Sequence, residues 1–184
     1  MTPCGAVFFD RDGVLIETFV ESGSPVADND LNSLRFVPGA IDLCQSLADA
    51  GIKMFMITNQ PDVSRGKAIL VDVLKINDVV KNTCQLHEVA MCVHDDDANC
   101  SCRKPKPGMI LELSAKHQID LGSSVVVGDR WRDIDAGNSA GCQTLFVNYG
   151  YNEILRSRPT WEVSAVGQAG LVLRKYFGVD EYGD

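Results

Sequence analysis

The chain has 184 residues, of which 45% are hydrophobic, and its formal net charge is −8. This length suits one domain with a full apolar core, so we expect a single domain over residues 1–184. The acidic balance excludes a broad nucleic-acid-binding surface, which needs clustered positive charge. No apolar run reaches the ~18 residues of a membrane span, and the first residues lack the basic and apolar regions of a signal peptide. We therefore expect a cytoplasmic protein with no membrane partner.

Apolar segments rich in β-branched residues alternate with amphipathic segments, which predicts strands that alternate with helices. In chain order, the predicted elements are a strand at 6–9, a loop at 17–37, a helix at 39–50, a strand at 52–57, a helix at 67–86, a strand at 88–92, a helix at 107–117, a strand at 125–127, a helix at 133–140, a strand at 144–147, a short strand at 161–163 and a closing helix at about 164–177. Because the strands are apolar throughout, the pattern predicts an α/β fold with a parallel sheet covered by helices on both faces. The polar loop is expected to fold over the carboxyl end of this sheet.

Polar or reactive side chains stand where four of the predicted strands end. They are Asp10, Thr58, Cys92 and Asp129. In a parallel sheet covered on both faces, binding sites lie beyond the carboxyl ends of the strands. The sequence therefore predicts that these residues, distant along the chain, meet at one end of the sheet.

Asp10 and Asp12 form a pair of carboxylates directly after the first predicted strand, and Gly13 follows them. Such a pair alone is typical of a solvated turn. After a buried strand, however, the pair supplies two groups that phosphate-ester hydrolysis needs, a nucleophile at Asp10 and a proton donor at Asp12. Gly13 permits the tight turn that brings the backbone close to a phosphate.

Three further segments offer groups for binding a phosphoryl group or a metal ion. Thr58 has hydroxyl and backbone N–H donors suited to phosphoryl oxygens, although a Thr-Asn pair is also typical of a turn cap. Lys104, next to Arg103, is a point cation that offsets charge near a nucleophile, and the alternative is a solvated basic turn. Asp129 ends a strand, and Asp133 follows one helical turn later. Carboxylates are the ligands that Mg²⁺ prefers.

Three cysteines and a histidine lie in the loop 92–102, with the spacing C-x-H-x5-C-x-C. The candidate ligands are Cys92, His94, Cys100 and Cys102. Four such ligands fit a closed tetrahedral zinc site with no position for a reacting water, so a structural Zn²⁺ is predicted. The alternative is an ordinary loop with chance cysteines. The aspartates at 95–97 are expected only to be solvated.

Four segments resemble the haloacid dehalogenase superfamily of phosphohydrolases and occur in that family's order between about residues 6 and 147. They are Asp10-Arg11-Asp12-Gly13-Val14, Ile57-Thr58-Asn59-Gln60, Arg103-Lys104-Pro105 and Gly128-Asp129-Arg130-Trp131-Arg132-Asp133. The resemblance implies a Rossmann-like α/β core. It also implies that Asp10 forms an aspartyl-phosphate intermediate, which water activated through Asp12 hydrolyses.

The same resemblance implies roles for the other residues of these segments. Lys104 and Thr58 would stabilise the phosphoryl group, and Arg103 and Asn59 would bind the substrate. The implied Mg²⁺ ligands are Asp10, the backbone carbonyl of Asp12, and Asp129. Asp133 is expected to orient a metal-bound water or Lys104 rather than to bind the ion.

The intervals between these segments are short. Forty-seven residues separate Asp10 from Thr58, and 45 separate Thr58 from Lys104. Both intervals include core elements, so neither has room for the cap domain of larger members of the superfamily. We therefore expect an open site whose selectivity comes from loops.

With its zinc loop and without a cap domain, the chain resembles two groups within the superfamily. These are the D-glycero-D-manno-heptose 1,7-bisphosphate 7-phosphatases and the histidinol-phosphate phosphatases. Ser64-Arg65-Gly66 and 105–109 resemble the heptose group, in which Arg65 would bind a second phosphate or a sugar hydroxyl. The residues at 61–63 and 67–68 depart from that group's pattern. The expected function is therefore hydrolysis of a small phosphorylated metabolite, a sugar phosphate, by a monomer.

Two alternatives come from different function classes. Histidinol phosphate is the alternative substrate, and a non-catalytic, zinc-stabilised interaction module is the alternative class. The intact catalytic segments argue against that module. A phosphomutase is disfavoured because transfer to a sugar needs a cap that excludes water, and a polynucleotide 3′-phosphatase is disfavoured by the acidic composition.

Overall fold

The computed structural model describes residues 4–21, 24–26 and 30–179. In chain order, its elements are β1 (Ala6–Phe9), β2 (Phe19–Glu21), β3 (Ser24–Val26), α1 (Ala40–Asp49), β4 (Lys53–Asn59), α2 (Leu70–Thr83), β5 (Glu88–Cys92), α3 (Gly108–His117), β6 (Val125–Gly128), α4 (Trp131–Ala140), β7 (Gln143–Val147), β8 (Trp161–Val163) and α5 (Val166–Phe177). Short 3₁₀ turns occur at Asp96–Ala98 and Leu121–Ser123. The strands thus alternate with helices over most of the chain.

Six of the strands form one sheet in the order β5-β4-β1-β6-β7-β8. Every neighbouring pair in it is parallel. From β1 the chain first builds outward through β4 and β5, and then crosses to β6, β7 and β8 on the other side of β1. The order therefore reverses beside β1, and such a reversal opens a crevice at the carboxyl ends of the central strands.

Apolar side chains cover both faces of the sheet, as the unbroken apolar strands predict. Val7 and Phe9 point into a core cluster with α1, α2 and α5. The alternate residues Ala6 and Phe8 point into a second cluster with α3 and α4. All four side chains are fully buried, because successive residues of a strand face opposite sides. The predicted α/β fold with helices on both faces is confirmed.

The structure corrects several details of the predicted elements. The segment 17–37, predicted to be a loop, contains the antiparallel pair β2–β3, and its residues 22–23 and 27–29 lie outside the described residues. β4 extends to Asn59, so Thr58 lies inside a strand rather than after it. α4 begins at Trp131, before the predicted start, because the Asp133 side chain accepts a hydrogen bond from the Arg130 amide and caps the helix.

No separate cap domain occurs in the described residues between Asp10 and Lys104. The first interval forms the β2–β3 pair, α1 and most of β4, and the second forms α2 and β5. Within the described part of the chain, no helix is long and apolar enough to cross a membrane.

Candidate active site

The carboxylates predicted to meet at the carboxyl end of the sheet do lie together. The amide of Asp10 donates to the carbonyl oxygen of Val127 at 2.9 Å, which aligns the end of β1 with the end of β6. Asp129 follows β6, and Asp133 comes from the first turn of α4. Ligand atoms of Asp10, Asp129 and Asp133 lie within 4.8 Å of one another. We call these three residues, with Lys104, the acidic cluster.

Lys104 lies at the centre of the acidic cluster and is almost completely buried. Its Nζ is 2.8 Å from Asp10 Oδ1 and 2.6 Å from Asp133 Oδ1. The ammonium also donates to the carbonyl oxygen of Ile57 at 2.9 Å. Lys104 thus lies beside Asp10 and Asp133, and the catalytic role of Lys104 and the orienting role of Asp133 stay predictions.

Asn59 makes contacts that the sequence did not predict. Its side-chain amide donates to the carbonyl oxygen of Lys104 at 3.0 Å, and its Oδ1 accepts from the amide of Lys104 at 3.1 Å. These two hydrogen bonds connect the end of β4 to the loop that carries Lys104. Asn59 also lines the pocket described below, so its predicted contact with substrate stays a prediction.

Burial and mutual repulsion strongly perturb the acidic cluster. Burial, reinforced by the charge of Asp133, raises the pKa of Asp10 to about 7. Burial also raises the pKa of Asp129 well above its usual value, and the charge of Asp10 adds to this effect. Burial alone would lower the pKa of Lys104, but the charges of Asp10 and Asp133 outweigh it and raise that pKa. The Lys104 ammonium contacts Asp10 and Asp133 but not Asp129, so the cluster holds more negative than positive charge and favours an additional cation.

Asp129 has the character of a metal ligand. Both of its carboxylate oxygens are buried and make no hydrogen bond of ordinary length and angle with a described residue, and the Tyr151 hydroxyl is the neighbouring donor. The charges of Arg130 and Lys104 offset only part of the cost of burying this carboxylate, because its pKa stays raised. A hard divalent cation satisfies such oxygens. The residues of the acidic cluster therefore fit Mg²⁺.

Gly13 closes the turn next to Asp129. Its backbone has a φ of +82°, and a Cβ there would lie 2.1 Å from Asp129 Oδ2. Residues other than glycine rarely adopt this φ, and the Cβ of any other residue would collide with the Asp129 carboxylate. Glycine thus lets the segment after Asp10 approach Asp129.

Asp12 is held from two sides. The Arg11 guanidinium donates to it, with Nη2 at 3.0 Å from Oδ1 and Nε at 3.2 Å from both oxygens. Gln60 donates to Asp12 Oδ2 at 2.6 Å and to the Thr58 hydroxyl at 2.8 Å. Neither Arg11 nor Gln60 was predicted to serve the site, although both lie inside the recognised segments. Their near-complete burial, which only the structure reveals, is the signal that singles them out.

The predicted zinc ligands also lie together. Cys92 Sγ is 3.1 Å from Cys102 Sγ and 3.6 Å from Cys100 Sγ. His94 Nδ1 lies 3.5 Å from Cys92 Sγ and 3.4 Å from Cys102 Sγ. Sulfurs bound to one zinc at ~2.3 Å in a tetrahedron lie about 3.8 Å apart. The cysteine sulfurs therefore need to move only slightly apart to bind the ion. The four residues are able to hold Zn²⁺.

For two of the three aspartates of the zinc loop, Asp95 and Asp96, the expectation that they are only solvated is wrong. Asp95 Oδ2 pairs with Arg65 Nε at 2.6 Å. Asp96 Oδ1 pairs with Arg103 Nε at 2.8 Å and with Arg132 Nη1 at 3.0 Å. These five residues, which we call the arginine network, connect the zinc loop to the loop after β4 and to α4. Arg132 was not predicted as a site residue, because its contact depends on the packing of α4 against a distant loop.

A pocket of about 430 Å³ lies between these groups. Its lining includes the acidic cluster and Asp12, together with the three arginines of the network. Thr18, which precedes β2, also lines it, as expected for a segment that folds over the carboxyl end of the sheet. The pocket thus combines carboxylates, an ammonium and guanidinium groups, a set of groups that suits phosphoryl transfer.

This fold, with acidic side chains beyond the carboxyl ends of its central parallel strands, is typical of a class of enzymes, the phosphohydrolases with a Rossmann-like core. A family model described as HAD-hydrolase-like matches residues 101–167. A D-glycero-beta-D-manno-heptose-1,7-bisphosphate 7-phosphatase of Helicobacter pylori is 32% identical over 141 residues, which cover 73% of this chain and 78% of the relative. The chain therefore belongs to the haloacid dehalogenase superfamily, whose matched relatives are phosphatases.

Two more comparisons give the same family. A D-glycero-alpha-D-manno-heptose-1,7-bisphosphate 7-phosphatase of Photorhabdus laumondii is 33% identical over 153 residues, which cover 76% of this chain and 80% of the relative. The solved D,D-heptose 1.7-bisphosphate phosphatase of B. bronchiseptica, complexed with magnesium and phosphate, has a TM-score of 0.78 and 23% identity. That likeness covers 93% of this chain and 98% of the solved chain. It supports the Rossmann-like fold.

Proposed function

We propose that this chain is a Mg²⁺-dependent phosphatase that hydrolyses a sugar phosphate, with a heptose 1,7-bisphosphate as its substrate. The observation that carries the proposal is the acidic cluster, in which a buried aspartate after β1 contacts a buried lysine beside two further buried carboxylates. The elements around this cluster would form one catalytic domain, which we expect to act in the cytoplasm as a monomer.

The first chemical step uses Asp10 and Asp12. Oδ1 of Asp10 accepts hydrogen bonds from Lys104 and from the Arg11 amide at 2.7 Å, so we assign attack to Oδ2. The Asp10 oxygen forms a bond to phosphorus while the bond from phosphorus to the ester oxygen breaks. Asp12 donates a proton to that oxygen, which leaves as the sugar hydroxyl.

The second step returns the enzyme to its starting state. A water oxygen attacks the phosphorus of the aspartyl phosphate on Asp10, and Asp12 takes the proton that this water releases. The bond between phosphorus and the Asp10 oxygen then breaks. The products are inorganic phosphate and the free Asp10 carboxylate, and Asp12 again carries the proton for the next cycle.

Several residues stabilise the transferring group. Asp10, the backbone carbonyl of Asp12 and Asp129 would hold Mg²⁺, which would supply positive charge to the transferring phosphoryl group. Lys104 offsets further negative charge, and Asp133 holds its ammonium in place. Thr58 offers its hydroxyl and amide to the phosphoryl oxygens, while Asn59 fixes the Lys104 backbone and faces the pocket.

The arginine network supports a substrate with a second anionic group. Its three guanidinium groups line the pocket, and the carboxylates that pair with them, including Asp62 beside Arg65, are partly exposed to solvent. Such exposed pairs are weak, so a phosphate is able to replace a carboxylate as the partner of a guanidinium group. Arg65 and Arg103 were expected to contact substrate, and guanidinium groups bind phosphate in two-pronged geometry. The names of the two matched relatives, both heptose bisphosphate phosphatases, agree with such a substrate.

A structural Zn²⁺ at Cys92, His94, Cys100 and Cys102 forms part of the proposal. All four ligand positions belong to the protein, so no site remains for a reacting water. The loop continues directly into Arg103 and Lys104. Zinc would therefore act on catalysis only by fixing the loop that positions these two cations.

A substrate panel with Mg²⁺ tests the proposal. We expect the highest kcat/KM for heptose 1,7-bisphosphate, lower values for simple hexose phosphates and the lowest for histidinol phosphate. Asp10→Asn provides the matched inactive control. No turnover of any ester with Mg²⁺ would refute the phosphatase, whereas a preference for histidinol phosphate would refute only the substrate.

A further inference from the structure

The buried face of α2 carries one polar side chain. Its other buried members, Val73, Ile76 and Val80, are apolar, whereas Asn77 is only 4% exposed and uncharged. A buried amide without hydrogen bonds is destabilising, so its presence on a core face calls for partners. Asn77 Oδ1 accepts from Arg11 Nη1 at 2.9 Å, and its amide nitrogen lies 3.4 Å from Met91 Sδ.

Arg11 is an equally unusual core residue. Its side chain is fully buried, although an arginine is almost never buried unless it is paired. One side of the guanidinium faces Asn77, and Nε and Nη2 face the carboxylate of Asp12. The planar guanidinium is rigid, so a bond at Nη1 fixes the direction of the other donors. Asn77 therefore sets the orientation in which Arg11 meets Asp12.

Asp12 consequently lies at the end of a fixed chain of contacts that starts on α2. Arg11 holds one side of the carboxylate, and Gln60 holds the other through Oδ2 at 2.6 Å. Only 17% of the Asp12 side chain is exposed. A proton donor must lie within hydrogen-bond reach of the leaving oxygen in the right direction, and an error of about 1 Å can cost ~10²-fold in rate.

We propose that Asn77, which does not line the pocket, is a positioning residue for proton transfer by Asp12. It acts by fixing the buried Arg11 guanidinium, and the inference rests on the proposed function. Asn77 would serve the transfer of the Asp12 proton to the ester oxygen as the bond from phosphorus to that oxygen breaks. Binding of the phosphoryl group by the acidic cluster would not depend on it.

The test compares esters that differ in their need for a proton. A sugar phosphate must release an alkoxide unless Asp12 protonates it, whereas p-nitrophenyl phosphate releases a stable phenolate. The measured quantity is kcat/KM with Mg²⁺, because it reports only the steps up to release of the alcohol or phenol. Asn77→Leu keeps the side chain's approximate size but removes the acceptor, and Asn77→Ser is a smaller change whose hydroxyl is too short to reach Arg11.

We expect both variants to lose about 10- to 100-fold in kcat/KM for the sugar phosphate and less than about 3-fold for p-nitrophenyl phosphate. Asn77→Asp keeps an acceptor oxygen for Arg11 and should recover most of the lost activity. Val73→Ala, on the same face of α2, is the matched control, and it should lower stability without changing the ratio of the two kcat/KM values.

Equal losses on both esters, or the same change of ratio in Val73→Ala, would overturn the inference and assign Asn77 a purely structural role. If the wild-type protein hydrolyses neither ester, the proposed function fails instead. A crystal structure of Asn77→Ser separates the two failures. An unmoved Asp12 carboxylate refutes the inference by itself, whereas a displaced Arg11 and Asp12 carboxylate shows that Asn77 orients Asp12 even though the proposed function has failed.

Discussion

The acidic cluster and the arginine network are both charged, but they differ in burial. Asp129, Asp133 and Lys104 of the acidic cluster are nearly inaccessible, whereas 57% of the Asp96 side chain in the arginine network is exposed. Breaking a buried ion pair leaves a charge without water and costs about 3–5 kcal/mol, whereas an exposed pair contributes about 0.2–1 kcal/mol. We therefore expect changes in the acidic cluster to abolish turnover, and changes in the arginine network to alter substrate affinity by smaller amounts.

The largest effect should come from the acidic cluster. Asp10→Asn removes the attacking carboxylate with little change in shape, and we expect kcat to fall by more than about 10³-fold. Asp62→Asn, at a pocket position outside the cluster, is the control and should stay within about 5-fold of the wild type. Steady-state kinetics with Mg²⁺ measures both, and substantial turnover by Asp10→Asn would exclude the covalent mechanism.

Disruption of the zinc loop should affect both regions at once, because Arg103 and Lys104 follow it directly. Loss of an outer partner of a metal ligand costs about 10- to 100-fold in metal affinity or activity, so Cys100→Ser should cost at least as much. We expect lower zinc content, a lower Tm and a lower kcat/KM. Cys4→Ser, an exposed cysteine outside the loop, is the matched control, and wild-type values for Cys100→Ser would argue against a structural zinc.

A change in the arginine network should be milder. Arg132→Gln removes one guanidinium from the pocket but leaves the acidic cluster intact. We expect KM for a bisphosphate to rise by about 3- to 10-fold with little change in kcat, and the difference should shrink at high salt. Lys75→Gln, which breaks an exposed pair with Asp72 on α2, should change neither constant. A large fall in kcat for Arg132→Gln would contradict the division between the two regions.

The smallest effect is a pH dependence of stability without Mg²⁺. Burial and the charge of Asp133 raise the pKa of Asp10 from 3.8 to about 7, so the folded state holds this proton more tightly than the unfolded state. Its stabilising contribution is complete below pH 3.8 and is lost as the pH rises towards about 7. In Mg²⁺-free buffer, thermal melts should show Tm falling across this range.

Two further measurements test whether the acidic cluster causes this fall of Tm with pH. Asp129→Asn removes a neighbouring negative charge and should flatten the decline of Tm with pH. Added Mg²⁺ should reverse it, because the ion binds the deprotonated carboxylates. A Tm that rises over the same pH range in the Mg²⁺-free wild type would show that other groups dominate the stability.

The sequence predicted the acidic cluster because general rules apply to it. Parallel strands bring their carboxyl ends to one place whatever their side chains, so Asp10 and Asp129 were expected to meet. Lys104 was placed by the resemblance of its segment to a known family. The first inference depends on local sequence plus one topological rule and the second on the recognised segment, and the structure brings Asp10, Asp129 and Lys104 together.

No sequence pattern predicts the contacts of the arginine network or those of Asn77. Asp96 and Arg132 are 36 residues apart, and their contact requires the zinc loop to pack against α4. Asn77 looked like one more residue of an amphipathic helix, and its partner Arg11 is 66 residues away. No periodicity or local propensity encodes such long-range polar pairs, so only the folded arrangement identifies them.

Gly13 shows that lack of space constrains a position of this chain as strongly as chemistry does. Its missing side chain does no chemistry, yet a Cβ there would collide with an Asp129 oxygen at 2.1 Å. By contrast, Gly51 and Gly66 also have positive φ but have open space around them. In a saturation library under selection for growth, position 13 should therefore tolerate as few amino acids as position 10, while positions 51 and 66 accept more. The fitness map of this chain would then record spatial exclusion as sharply as it records reactivity.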